Sequence, residues 1–141
     1  MFSGSYAHSV DGKGRIVIPA KFRSKLGEKF VITKGLNGCL WVFPERVWPD
    51  FRQKLTPRSL LNSRGLALER YFLGAAVECA PDAQGRVPIP QMLLDYAGIK
   101  DEICVVGLTD RLEIWSRRSW DEFNSKLSDD VIRRLGEELE F

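Results

Sequence analysis

Apolar residues recur along this chain in two series that match each other nearly position for position. The first runs through Ile16-Val17-Ile18, Phe30-Val31-Ile32 and Leu40-Trp41-Val42-Phe43, then Trp48, Phe51 and Leu55. The second runs through Val87 and Ile89, Ile103-Cys104-Val105-Val106 and Leu112-x-Ile114-Trp115, then Trp120, Phe123 and Leu127. Short apolar runs bounded by Gly, Pro, Asn and Asp predict strands, and apolar residues at i, i+3 and i+7 predict a helix.

Each series therefore predicts the same order of elements. A strand (Tyr6–Val10; Ala76–Cys79) enters a turn at Asp11-x-x-Gly14 or Asp82-x-x-Gly85. Asp can hydrogen-bond the backbone just ahead of it, and Gly accepts the positive φ that such turns need. A strand Arg15–Pro19, or its partner from Arg86, follows. Pro19 and Pro90 open short helices, Ala20–Leu26 and Gln91–Ala97, where a missing N–H costs nothing. Gly27 and Gly98 end them. Strands Lys29–Thr33 and Cys39–Phe43 flank Asn37-Gly38, a hairpin signal, and strands Glu102–Val106 and Leu112–Trp115 take their places in the second series. A helix on the Trp/Phe/Leu stripe closes each copy. Between the copies, Thr56-Pro57 reads as an N-cap with Pro at N1, which predicts a helix from Arg58 to about Leu73, weakened at Gly65. Residues 128–141 predict an acidic helical tail containing Glu137, Glu138 and Glu140.

The match is an internal repeat. Asp11-Gly-Lys-Gly-Arg15-Ile-Val-Ile-Pro19 aligns with Asp82-Ala-Gln-Gly-Arg86-Val-Pro-Ile-Pro90, and the two tryptophans of the closing helices stay in register. The implied organisation is a first unit at 5–47, a helical connector at 48–75, a second unit at 76–119 and a tail at 120–141. A four-strand unit of this size is too small to bury a good core alone. Two copies in one chain can share a core, with strands exchanged between them. Leftover apolar stripes and strand edges suggest self-association.

Charge sharpens this picture. The 141 residues carry a formal net charge of +2. Residues 1–72 hold 13 Lys and Arg against 5 Asp and Glu, a net +8, whereas residues 73–141 hold 8 against 14, a net −6. A basic segment attracts polyanions, of which nucleic acid is the common one. The Asp-x-x-x-Arg spacing is the sharpest chemical feature. A carboxylate at the start of a turn and an arginine just past it can meet, and the Asp then fixes a planar guanidinium suited to phosphate or to guanine O6 and N7. The same spacing also suits a local ion pair that only fixes the turn. Arg15 is expected to outweigh Arg86, because it lies in the basic half with Lys13 beside it.

Other chemistry is poorly supported. Three scattered cysteines, Cys39, Cys79 and Cys104, form neither a disulfide framework nor a zinc knuckle, and read as reduced side chains in a cytoplasmic protein. The single histidine, His8, leaves no metal cluster. Ser3, Ser5, His8 and Asp11 hold the residue types of a catalytic triad but give no sign of one. Gly12-Lys13-Gly14-Arg15 lacks the spacing of a phosphate-binding loop. No apolar run reaches 18 residues, and the N-terminus has no secretory pattern. No catalytic residue, cofactor or small-molecule substrate is expected, so the chain reads as a non-enzymatic binder.

Several strings carry a family resemblance: Met1-Phe2-x-Gly4, Asp11-x-Lys13-Gly14-Arg15, Pro19-Ala20-Lys21-Phe22-Arg23, Gly74-Ala75, Asp82-x-Gln84-Gly85-Arg86 and Glu113-Ile114-Trp115. Across nearly its whole length the chain resembles the MraZ family of bacterial transcription regulators. The resemblance implies an α+β, β-rich fold: two tandem swapped-hairpin (SpoVT-AbrB-type) β-barrel units with short flanking helices and a pseudo-twofold. It implies a ring-shaped homo-oligomer in the cytoplasm, associated with the nucleoid. The implied activity is binding of short repeats in double-stranded DNA upstream of the division and cell-wall gene cluster, its own gene included, with repression. Arg15 and Arg86 fall on the family's DNA-binding arginines; from the residues themselves Lys13, Lys21 and Arg23 are further DNA-binding candidates, the last two on a helix, and Asp11, Asp82, Gly14 and Gly85 are expected to orient the motif. The competing expectation is a protein-interaction module, antitoxin-like, whose basic face meets an acidic partner.

Overall fold

The computed structural model describes residues 1–59 and 62–141, and their side chains apart from those of 56–59. The first copy forms β1 (Gly4–Ser9), β2 (Arg15–Val17), α1 (Ala20–Leu26), β3 (Phe30–Lys34), β4 (Leu40–Pro44) and α2 (Trp48–Ser59). Helix α3 (Ser63–Leu73) connects it to the second copy. That copy forms β5 (Val77–Cys79), β6 (Arg86–Pro88), α4 (Gln91–Ala97), β7 (Glu102–Gly107), β8 (Leu112–Ser116) and α5 (Arg117–Ser125), and α6 (Asp129–Glu138) follows.

The copies exchange strands. One six-stranded sheet has the order β1-β7-β8-β4-β3-β5, and β2 pairs with β6 in a separate ribbon. Replacing each strand by its counterpart in the other copy leaves both orders unchanged, which is the pseudo-twofold. Strand β1 adds to the second copy's β7, and β5 adds to the first copy's β3. The fold is α+β and β-rich, as expected, but its ladders do not close into a barrel. Strands β1 and β5 remain edges of the sheet, because a ribbon paired only to itself has no ladder to either of them.

Alternation along the strands sorts the core into two layers. On β4, Leu40 and Val42 point to one face of the sheet and Trp41 and Phe43 to the other. The first face meets Ile16 and Val87 of the ribbon, Phe22 and Leu26 of α1, and Leu93 and Leu94 of α4. The second meets Leu55 of α2 and Phe72 of α3, whose ring stacks on Trp41 at 5.4 Å between centroids. Burial on both faces is why these strands read as unbroken apolar runs rather than as alternating ones. Each fully buried side chain contributes about 1.5–3 kcal/mol.

Local signals explain most boundaries. Asn37 and Gly38 both take positive φ, 65° and 79°, in the β3–β4 hairpin, the backbone that Asn-Gly favours there. The connector differs from expectation. Helix α2 continues through Thr56-Pro57 to Ser59, so no helix starts at Arg58. The Thr56 cap and residues 60 and 61 lie outside the described side chains and residues. The second helix starts instead at Asn62, whose side chain accepts the Gly65 N–H at 2.7 Å and satisfies a donor at the helix start. The tail is helical as expected: Ser128 caps α6 by accepting the Val131 N–H at 3.2 Å. Among the described residues no helix is long and apolar enough to cross a membrane.

Candidate nucleic-acid interface

Both Asp-x-x-x-Arg strings build the same bracket. In the first, Asp11 Oδ1 accepts the backbone N–H of Lys13 at 2.8 Å and of Arg15 at 3.0 Å, while Oδ2 accepts Arg15 Nε–H at 2.8 Å. In the second, Asp82 Oδ1 accepts from Gln84 and Arg86 at 2.9 Å each, and Oδ2 accepts Arg86 Nε–H at 2.8 Å. Gly14 and Gly85 take φ of 74° and 78°, the left-handed region that lets the chain turn under the carboxylate. Their N–H groups donate to the Asp11 and Asp82 carbonyls at 3.1 and 2.9 Å. Asp11 and Asp82 thus each hold an arginine, and Gly14 and Gly85 shape the turns beneath them.

The bracket keeps the carboxylates charged. The Arg15 backbone N–H is the largest cause holding Asp11 below its ordinary 3.8. Desolvation opposes it, and the Lys13 N–H and the Arg15 side chain lower the value further. Asp82 is lowered in the same manner, first by the Arg86 backbone N–H. Depressed carboxylate values stabilise the fold above the ordinary value and lose that effect as pH falls through the folded one, so both brackets stand intact at neutral pH.

The ribbon decides where the guanidiniums go. Arg15 lies opposite Pro88, Val17 opposite Arg86, and Ile16 opposite Val87. Ile16 and Val87 are buried against the sheet. Successive strand residues alternate faces, so Arg15 and Arg86 share the outer face, about 8 Å apart at Cα from strand rise and spacing. Only Nε of each is held by its Asp. The terminal nitrogens of both make no hydrogen bond to protein among the described residues, so each presents a fixed two-nitrogen edge.

The remaining expected residues divide. Lys13 is exposed on the first turn. Lys21 stands on α1 with its amine over the Tyr6 ring, 5.5 Å from the centroid, rather than in either turn's hydrogen-bond network. Arg23 donates Nε–H to the Ile18 carbonyl at 2.8 Å and lies against Gly85 of the other copy's turn.

The string Glu113-Ile114-Trp115 serves the core and not this face. Glu113 accepts from the indole N–H of Trp41 at 2.9 Å and of Trp115 at 3.0 Å, and Cys39 Sγ lies 3.5 Å away. The Arg111 guanidinium covers the Trp41 ring at 4.4 Å. Burial and the neighbouring Glu113 push the Cys39 thiol well above its ordinary range, so it stays protonated. The sequence places Trp41 and Trp115 within apolar strand runs. The signal for their polar partner was Glu113, which stands at the repeat position of Trp41.

A profile of the MraZ protein family, antitoxin-like in its description, matches this chain over residues 1–69 and 72–136, one match per copy. A protein of Caldanaerobacter subterraneus subsp. tengcongensis named transcriptional regulator MraZ is 44% identical, over 99% of this chain and 97% of its own. One of the same name from Moorella thermoacetica is 46% identical, over 92% and 90%, and one from Clostridium tetani 47%, over 88% and 87%. These relatives are named for transcription regulation and not for catalysis. With near full-length coverage at this identity, and with both halves matched, the chain belongs to the MraZ family.

Proposed function

We propose that this chain is a DNA-binding transcription regulator that reads double-stranded DNA with the β2–β6 ribbon. The observation that carries the reading is the pair of Asp-fixed guanidinium edges on one outer face. A two-stranded ribbon fits the major groove, which is roughly 12 Å wide, and an arginine fork pairs with guanine O6 and N7. At about 8 Å apart, two such forks fall within one groove. Lys13 supplies a phosphate contact on the first turn, and Lys21 a more distant one. The resemblance supports the finer reading: short repeats upstream of the division and cell-wall genes, its own gene included, bound by a ring of subunits on the nucleoid, with repression.

A titration of the chain against the duplex upstream of its own gene tests this. The logarithm of the binding constant should fall linearly with log salt, by about 0.9 per neutralised phosphate. Lys13→Ala should flatten that slope without changing which sequence is preferred, since phosphate contacts position and base contacts specify. A binding constant indifferent to salt between about 50 and 200 mM rejects the mechanism. The antitoxin-like description of the family supports one other reading, an acidic protein partner. Tight binding to such a protein, with none to the duplex at low salt, would select it.

Self-assembly belongs to the same proposal, with a second copy of this chain as the partner. Helix α6 exposes Ile132 and Leu135 one turn apart, and Leu139 follows just past its end, at 51%, 44% and 80%. Away from this stripe α6 mixes Asp129, Asp130, Glu137 and Glu138 with Arg133 and Arg134, and Arg133 pairs with Asp130 at 2.8 Å, so the apolar stripe is the surface offered to another copy. The parent should scatter light at a mass well above 16.1 kDa. Ile132→Asp with Leu139→Asp should lower that mass while circular dichroism is retained. A parent that is monomeric at micromolar concentration refutes the assembly, and an unchanged variant mass removes α6 from it.

A further inference from the structure

We infer that Arg23 belongs functionally to the second copy's turn, where it takes a backbone phosphate beside Arg86, and not to the first-copy turn on whose side of the repeat it lies in sequence. The inference rests on the DNA-binding reading above and goes beyond it by assigning a residue of one copy to the other's site.

The geometry comes from the strand exchange. Each copy's helix after the ribbon strand lies over the other copy's turn. At the first turn, a Cβ built on Gly14 would sit 3.2 Å from Leu94 Cδ1 of α4. At the second, a Cβ built on Gly85 would sit 3.4 Å from Arg23 Cζ and 3.6 Å from each of its terminal nitrogens. Three near-equal distances mean that the guanidinium lies flat over Gly85. Arg23 and Leu94 are the same position of the repeat, 71 residues apart. The two turns are therefore alike in backbone and unlike in bedding: one rests on a leucine, the other on a cation.

That cation is held, and its edge is free. Nε donates to the Ile18 carbonyl at 2.8 Å, which fixes the plane, and the terminal nitrogens make no hydrogen bond to protein among the described residues. Arg86 follows Gly85 directly in the chain. An open groove of about 580 Å³ lies alongside, lined by Arg23, Glu28, Lys29, Asp82 and Gly85 among others. Asp82 is already committed to Arg86, so it does not cancel Arg23 by direct pairing. The fixed Arg23 fork suits a phosphate, whose oxygens take planar paired donors well. The second turn has Gln84 where the first has Lys13. Arg23 restores the missing charge there from the other copy.

The test is a double-mutant cycle on binding of the duplex upstream of this chain's own gene, read by fluorescence anisotropy at fixed salt. Arg23→Leu installs the residue the pseudo-symmetric site already carries, which keeps the fold intact. Circular dichroism and scattering mass check this. Arg23→Leu should weaken binding about ten-fold and flatten the salt slope by about 0.9 per site lost. Residues that share a site couple, whereas distant ones add. The ten-fold loss should therefore shrink markedly in the Arg86→Ala background and persist in full in the Arg15→Ala background. Arg23→Lys should recover charge but only part of the affinity, since an ammonium has no planar fork. Equal losses in both backgrounds, or coupling to Arg15 instead, overturn the assignment while leaving DNA binding standing. A parent that binds no duplex at low salt overturns both.

Discussion

Arg15→Ala combined with Arg86→Ala should abolish preferred binding to the upstream duplex while the protein stays folded. Each lost bidentate base contact costs about 1–3 kcal/mol. Two per chain give a loss on the order of 10²- to 10⁴-fold, and subunits acting together multiply it. The fold should survive because both side chains lie outside the core, on the outer face of the ribbon. Asp11→Asn with Asp82→Asn is the informative partner. An amide oxygen can still accept the turn's N–H groups, but the charge that holds each Nε is gone. Those variants should lose discrimination against scrambled DNA more than total affinity. The measurement is anisotropy on preferred and scrambled duplexes at one salt concentration. If the double arginine variant binds like the parent, the ribbon's outer face is not the reading surface.

The second large effect is on stability. Glu113→Ala leaves two buried indole donors, Trp41 and Trp115, without their acceptor. An orphaned buried donor costs about 1–3 kcal/mol, so the sum is about 2–6 kcal/mol, a Tm fall on the order of 10 °C. Glu113→Gln retains one acceptor oxygen and should lose roughly half as much. Thermal unfolding at fixed protein concentration checks this, because assembly makes Tm depend on concentration. A Glu113→Ala protein melting with the parent would show that solvent, not Glu113, satisfies the indoles.

Most of the fold was legible because the repeat repeated its own evidence. Helices α1 and α4 were readable to the residue, since Pro19 and Pro90 open them and Gly27 and Gly98 close them. The brackets were readable too, because Asp and Arg four apart across a turn have few ways not to meet. The α2–α3 boundary was not. Thr56-Pro57 is a sound local start signal, yet the chain runs helical through it and starts again at Asn62. The place of Arg23 needed a contact spanning 62 residues, from α1 to Gly85. A signal for it existed: the repeat sets Arg23 against Leu94, and exchanged strands carry each helix to the opposite turn. The same exchange removes one of the two reasons for ranking Arg15 above Arg86, since charge counted by sequence half is not charge at each turn, and leaves the other, Lys13 beside Arg15.

The palindromic strand order has one more consequence. Two identical halves related by a true twofold present the same contact twice, and such a surface matches a palindrome read equally from either end. Here the halves are joined in one chain and have diverged: Lys13 against Gln84, Leu94 against Arg23. The joined surface therefore has a head and a tail. Bound to DNA as proposed, it would distinguish forward from backward, and direct repeats would set successive copies facing one way where inverted repeats would set them face to face.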